Sequence, residues 1–194
     1  MTLDAKTAVV DNDFINHVIE SNLKDEDLVT VLNTVFSELD LTAVMHPLVY
    51  EKELLPDKER IKLLFCKSIV QKAEFGDIFQ NDAAKERYYI FLVSELYRAL
   101  TGKALSATGK AVLSYWVRQN SLGEVHSVAM CLTCGCGIFL SDDGDSKALK
   151  AYVEQKSIGK INVYNREEFI QKHMEEGITK LSRTKKRSLT HAAK

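Results

Sequence analysis

A three-layer α/β/α sandwich around a short central parallel sheet is the fold this sequence predicts, and three observations carry it. Short apolar runs, Ala8–Val10, Leu41–Met45, Ile138–Leu140 and Ile161–Val163, stop at polar residues in the manner of buried parallel strands. Longer segments between them repeat apolar residues at three and four positions, the period of helices laid on a sheet. From Pro47 to Arg118 the pattern is almost wholly helical, which reads as a helical insertion at about 57–118. One domain over residues 1–170 follows, with a basic, helical and partly flexible extension at 171–194.

The first strand closes at Asp11-Asn12-Asp13, after which Phe14, Ile15, Val18 and Ile19 share one helical face. Leu28, Val31, Leu32, Val35, Phe36 and Leu39 mark Asp25–Leu39 as a stronger helix. His46-Pro47 ends the second strand; proline suits a first helical turn, so Pro47 opens a helix carrying Glu51 and Glu53. A helix from Asp57 to about Phe65 comes next, and Lys67–Phe79 fits either strand or loop. Asp82–Leu100 is the longest helix, with Tyr88, Phe91, Leu92, Leu96 and Leu100 as its apolar stripe and Gly102 as its stop. A turn at Ser106–Gly109 precedes an expected helix over Lys110–Arg118 bearing Trp116. Ser121 with Glu124 three residues on is a capping-box pattern, opening a helix that Gly135–Gly137 break after Cys134. A helix over Ser146–Gln155 and a final one from Arg166 flank the last strand.

Hydrophobic residues are 45% of the 194 and charged residues 27%, the balance of an ordinary globular chain. No apolar run approaches the roughly 20 residues needed to cross a bilayer, and Asp4 and Lys6 do not begin a secretory pattern. A cytoplasmic, non-membrane protein is therefore expected, and its four cysteines suit a reducing compartment. The net charge of −1 hides an uneven distribution: Lys180–Arg187 is a basic block without an acid. Such a block can contact phosphates by counterion release, or it can simply be a solvated terminus.

Acids recur where such a fold builds sites, beyond the carboxyl ends of strands. Asp11 and Asp13 follow the first strand, Glu51 and Glu53 lie after Pro47, Glu124 opens a helix, and Asp142, Asp143 and Asp145 follow Ile138–Leu140. Clustered carboxylates repel and take up protons unless a cation neutralises them. Mg²⁺ and Mn²⁺ are hard ions that take such oxygen ligands, and a pair of them can assist phosphodiester cleavage. The plainer reading makes these residues helix caps, an Asp-Gly turn and surface charges.

Four segments resemble a known family. Val9-Val10-Asp11-Asn12-Asp13, Pro47–Leu54, Leu122-Gly123-Glu124 and Ile138–Leu149 are similar, in that order, to the motifs of PIN domains, metal-dependent ribonucleases that include bacterial toxins. The likeness covers roughly 7–55 and 120–165 and skips the long middle segment. It implies a Mg²⁺- or Mn²⁺-dependent ribonuclease with an RNA substrate and an antitoxin-like partner. Asp11 would be the first acid and Glu53 or Glu51 the second. These two lie about 200° apart on a helix, so they cannot face one site together, and Glu53 shares a face with Val49. Glu124 would be the third acid, where the family more often has Asp, and Asp142 or Asp143 the fourth, with Asp145 in support. No side-chain nucleophile is required, because the cation activates water. Ser141 would position a phosphate or water, and Lys110, Arg118, Lys185, Lys186 and Arg187 would line the RNA path. The alternative is a catalytically degenerate PIN-like module that binds RNA or a protein, and self-association is compatible with either.

Cys131-Leu132-Thr133-Cys134-Gly135-Cys136 invites a zinc or redox reading, but the second paired motif of a structural zinc site is missing. Core packing at a helix end is the simpler expectation for these thiols. None of the five histidines has metal-pair spacing; His17 and His46 lie near the acids and are expected as hydrogen-bonded fold elements.

Overall fold

The computed structural model describes residues 1–54, 58–117 and 121–175. Its centre is an all-parallel sheet of β1 (Thr7–Val10), β2 (Thr42–Met45), β3 (Val70–Lys72), β4 (Ile138–Leu140) and β5 (Asn162–Tyr164), in the order β3-β2-β1-β4-β5. The strands are short and buried on both faces, so alternate residues enter different cores. Ala8, Val10, Ala43, Met45, Ile138 and Leu140 face one core, while Val9, Val44 and Phe139 face the other. Helices α1 (Asn12–Ile19), α2 (Asp25–Glu38), α4 (Glu59–Cys66) and α9 (Arg166–Glu175) cover the first face. Helices α5 (Phe75–Phe79), α6 (Ala83–Thr101), α7 (Leu122–Cys134) and α8 (Gly144–Lys156) cover the second. The short α3 (Pro47–Lys52) leaves the end of β2. The expected three-layer sandwich is thus what forms. No helix among the described residues is long and apolar enough to cross a membrane.

Strand order decides where a ligand can enter. From β1 the chain moves outward through β2 to β3, then returns to β4 on the other side of β1 and moves outward again to β5. The gap between β1 and β4 is therefore the topological switch point, where the connections diverge and leave a crevice. Asp11 and Ser141–Asp143 follow directly from these two strands, and the Asp11 N–H donates to the Leu140 carbonyl at 2.9 Å.

Several elements depart from expectation, each for a physical reason. Lys67–Phe79 yields both β3, an edge strand, and α5, so this part of the expected insertion completes the central sheet. Instead of an α-helix over Lys110–Arg118 there is a 3₁₀ turn at Gly109–Ser114, with Tyr115 extended after it, and Trp116 is not helical. The buried face of α6 is Tyr89, Leu92, Val93, Leu96 and Tyr97, rotated from the expected stripe; Tyr88 and Phe91 are exposed. Periodicity alone favoured Tyr88, but Tyr89 has hydrogen-bond partners that make its burial tolerable. The capping box at Ser121 does not form: Ser121 is left-handed (φ 49°) and its hydroxyl goes elsewhere. Finally, residue 170 falls inside α9, whose Phe169 packs on Phe14 and Phe36. The same helix buries His173, whose Nε2 bonds Glu38 at 2.6 Å.

Candidate functional site

Asp11 occupies the N-cap position of α1, yet its carboxylate makes no capping bond. It is 2% exposed; Oδ2 accepts from the Ser141 hydroxyl at 3.1 Å, while Oδ1 is buried with no hydrogen-bond partner. Burial pushes its carboxyl well above the ordinary value, and repulsion from Glu124, Asp13 and Glu53 adds to that. Asp13 on the first turn of α1 is also raised, chiefly by burial.

Glu53 ends α3 as its C-cap residue and turns inward, resting on Gly123 of α7. A Cβ at position 123 would lie 2.5 Å from Glu53 Oε1, so the glycine makes room for this carboxylate. Glu124 lies on the first turn of α7, 8% exposed, with Oε2 buried and unpartnered. Burial pushes Glu53 up to about 7, with Glu124, Asp13 and Asp143 repelling it. Burial likewise lifts Glu124 to about 7; its own N–H works against this, and Asp143, Asp13 and Asp145 repel it. None of Asp11, Asp13, Glu53, Glu124 or Asp143 forms an ion pair with a described residue.

Two of the alternatives left open by the sequence separate here. Glu51 is exposed and pairs with Lys72 at 2.9 Å, away from Glu53. Asp142 is compensated: its Oδ1 accepts from the Arg166 backbone N–H at 2.8 Å, and its Oδ2 meets Arg166 Nε at 2.6 Å and His17 Nδ1 at 2.7 Å. Asp143 is the member of this pair whose charge is felt by Glu53 and Glu124. It also N-caps α8 by accepting from the Asp145 N–H at 2.8 Å, and Asp145 Oδ2 accepts from Ser121 at 2.5 Å.

Ser141 is a buried junction rather than a free ligand for phosphate. Its hydroxyl lies 3.1 Å from Asp11 and 3.4 Å from Asp13, and it accepts from the Asp143 N–H at 3.2 Å and the Ser146 hydroxyl at 2.8 Å. Lys110 is exposed and pairs with Glu86 at 3.0 Å. Arg118, Lys185, Lys186 and Arg187 lie outside the described residues.

The same helices carry a buried polar network in which His46 takes the hydrogen-bonded role expected of it, with partners in Tyr89 and His126 that the sequence did not reveal. The Leu48 N–H donates to His46 Nδ1 at 3.1 Å, so the neutral ring carries its proton on Nε2 and donates to Tyr89 Oη, 2.8 Å away. Tyr89 then donates its own proton to His126 Nδ1 at 2.6 Å. Burial drives His46 well below its ordinary value and His126 down to about 4, so both rings are neutral at pH 7. The chain of bonds ties α3 and α7, the helices that bring Glu53 and Glu124, to each other through Tyr89 of α6. A signal existed in Pro47 and Glu124, each one or two residues from a buried histidine, but pairing them required the fold.

Among the described residues, no group of three or more His, Cys, Asp or Glu side chains is gathered in a way that holds a metal ion. The acids share one region and one electrostatic field without converging on a common point. No family model matches the chain, and neither a curated protein nor a solved structure is significantly similar to it.

Proposed function

We propose that the protein is a Mg²⁺- or Mn²⁺-dependent ribonuclease of PIN-like type, with Asp11, Glu53, Glu124 and Asp143 holding the cation and RNA as substrate. The observation that carries this reading is Asp11: a carboxylate 2% exposed, with one oxygen orphaned, repelled by three neighbouring acids. Burying such a group costs several kcal/mol unless a proton or a cation compensates it. The donor set fits a hard ion in kind, being oxygen throughout and including orphaned oxygens on Asp11 and Glu124. Bound there, the cation would act as a Lewis acid and lower the pKa of water.

The chain's own residues supply the rest of the chemistry. Ser141, donating to Asp11 and held by Ser146, orients the first carboxylate. Gly123 admits the Glu53 carboxylate, and the His46–Tyr89–His126 network holds the helices from which both glutamates project. Without the cation, burial holds Glu53 up to about 7, so a bound cation would displace a proton from this carboxyl near neutral pH. The resemblance noted above carries an antitoxin-like protein as the cellular partner.

A second reading has one observation in its favour: the acids are not gathered into a ligating group. On that reading the module binds RNA or a protein without cleaving. Thermal melting with Mn²⁺, followed by cleavage of single-stranded RNA, separates the two. The nuclease reading expects Mn²⁺ to raise the melting temperature, chelation to stop cleavage, and Asp11→Asn to remove both effects, cleavage falling at least about 100-fold. RNA binding with no cation-dependent melting shift and no cleavage would establish the second reading in its place.

A further inference from the structure

The far end of α7 holds three cysteines that the acid site does not use. Gly135 caps the helix in the left-handed region (φ 73°), donating its N–H to the Cys131 carbonyl, and the Cys136 N–H donates to the same carbonyl at 2.9 Å. This tight reversal folds Cys136 back under the helix end, so the two thiols flank a one-residue turn with Cys136 as donor toward the Cys134 sulfur. Cys134 is partly exposed and its sulfur lies 3.6 Å from the Ile78 carbonyl oxygen. Cys136 is buried beside it, and Cys131 is buried separately, 3.8 Å from the Ile138 carbonyl oxygen. Nothing lies within 4 Å of a Cβ placed on Gly135, so the turn is open on its outer side.

We propose that Cys134 and Cys136 form a reversible redox site, Cys134 as the attacking thiol and Cys136 as the resolving one, with a low-molecular-weight disulfide as oxidant. The Cys134 sulfur attacks one sulfur of the oxidant, whose S–S bond breaks and whose other half leaves as a thiol. Cys136 gives up its proton and attacks the Cys134 sulfur, displacing the second half as a thiol and closing the protein disulfide. Two protein thiols are oxidised and one small disulfide is reduced to two thiols, so atoms and electrons balance.

Reactivity follows the thiolate, and the two thiols are unlike in the required sense. The hydrogen bond from Cys136 pulls Cys134 below its ordinary value; burial opposes this and Lys85 adds to it. That same bond, together with burial, pushes Cys136 up, keeping it protonated until Cys134 has reacted. Cys131 is raised by burial. The redox site lies at the opposite end of α7 from Glu124 and stands independently of the nuclease reading.

The test uses the full chain with the exposed Cys66 replaced by Ser, folded in buffer and treated with oxidised glutathione. The expected result is loss of two hydrogens, a disulfide mapped to Cys134–Cys136 by peptide mass, and reversal by a dithiol. Cys136→Ser is expected to retain a glutathione adduct on Cys134, and Cys134→Ser to show neither product. A folded protein that keeps its thiols under this treatment, or a bridge that includes Cys131, overturns the proposal. Should either serine variant fail to fold, alkylation of the Cys66→Ser protein decides. Cys134 must label well ahead of Cys131 and Cys136, and equal rates or another order overturn the assignment.

Discussion

Helices α3 and α7 each contribute to two buried polar clusters, and the clusters handle burial in opposite ways. In the His46–Tyr89–His126 network a backbone N–H at one end fixes the direction of each successive hydrogen bond, and every ring is neutral; at the other end the Tyr115 backbone faces His126. Elsewhere on the same two helices Glu53 and Glu124 meet Asp11 from the start of α1, with orphaned oxygens on Asp11 and Glu124 and no ion pair to a described residue. Asp142, next to Asp143 in sequence, shows that the fold can compensate an acid there, since Arg166 and His17 surround it. The contrast teaches that, among the described residues, buried acids with orphaned oxygens occur where Asp11 and Glu124 meet, beside the carboxyl end of β1. Places where a sequence breaks a local rule tend to be functional sites.

Removing the shared member of the neutral network breaks the comparison most severely. Tyr89→Phe takes the acceptor from His46 and the donor from His126 while keeping the ring. Two buried nitrogens left unpaired should cost about 2–4 kcal/mol in urea unfolding. A loss under about 0.5 kcal/mol, within the range of ordinary surface changes, means the network does not hold α3 and α7 together.

Titration probes the acid cluster next. Glu53 and Glu124 hold protons up to about 7 in the fold, against an ordinary 4.5. Below 4.5 both folded and unfolded chains are protonated and the clustering carries little penalty. Between 4.5 and about 7 the folded state keeps protons that the unfolded state has lost, so metal-free stability falls as pH rises. The fall should be on the order of 1–3 kcal/mol and level off above that window. Unfolding midpoints across the range measure it, and Glu53→Gln with Glu124→Gln should flatten the curve. A stability that climbs through this window contradicts the raised carboxyls.

Gly123→Ala sharpens the contrast between stability and site geometry. The atoms nearest the new methyl all belong to the flexible end of Glu53, so it should cost less than about 1 kcal/mol. It should nevertheless push the Glu53 carboxylate away and shrink the Mn²⁺-dependent melting shift. A full Mn²⁺ shift in this variant removes Glu53 from the cation set. The smallest effect belongs to Glu51→Gln: its ion pair with Lys72 is on the surface and worth about 0–1 kcal/mol, and the Mn²⁺ shift should stay intact.

Much of this was legible in the chain itself. Four of the five strands, the opening of α3 at Pro47, the stop of α6 at Gly102 and the sandwich class all follow from apolar period and local backbone chemistry. These are short-range effects, decided by residues within a turn of one another. That positions 51 and 53 point different ways was also readable, because residues two apart lie about 200° apart on a helix. By contrast, the 3₁₀ turn at Gly109–Ser114 and the left-handed Ser121 replaced expected helical features because distant contacts outweighed weak local preference.

The sequence by itself determined which segments become strands and helices and which acids stand at their ends, because those choices depend on neighbours along the chain. Only the tertiary structure decided that β4 lies beside β1, and hence that Asp11 and Asp143 share a crevice. It alone decided that Arg166 claims Asp142, that Tyr89 rather than Tyr88 turns inward, and that Gly123 leaves space for Glu53. Each of these joins residues far apart in the chain, and such pairings are set by packing and charge compensation rather than by any local pattern.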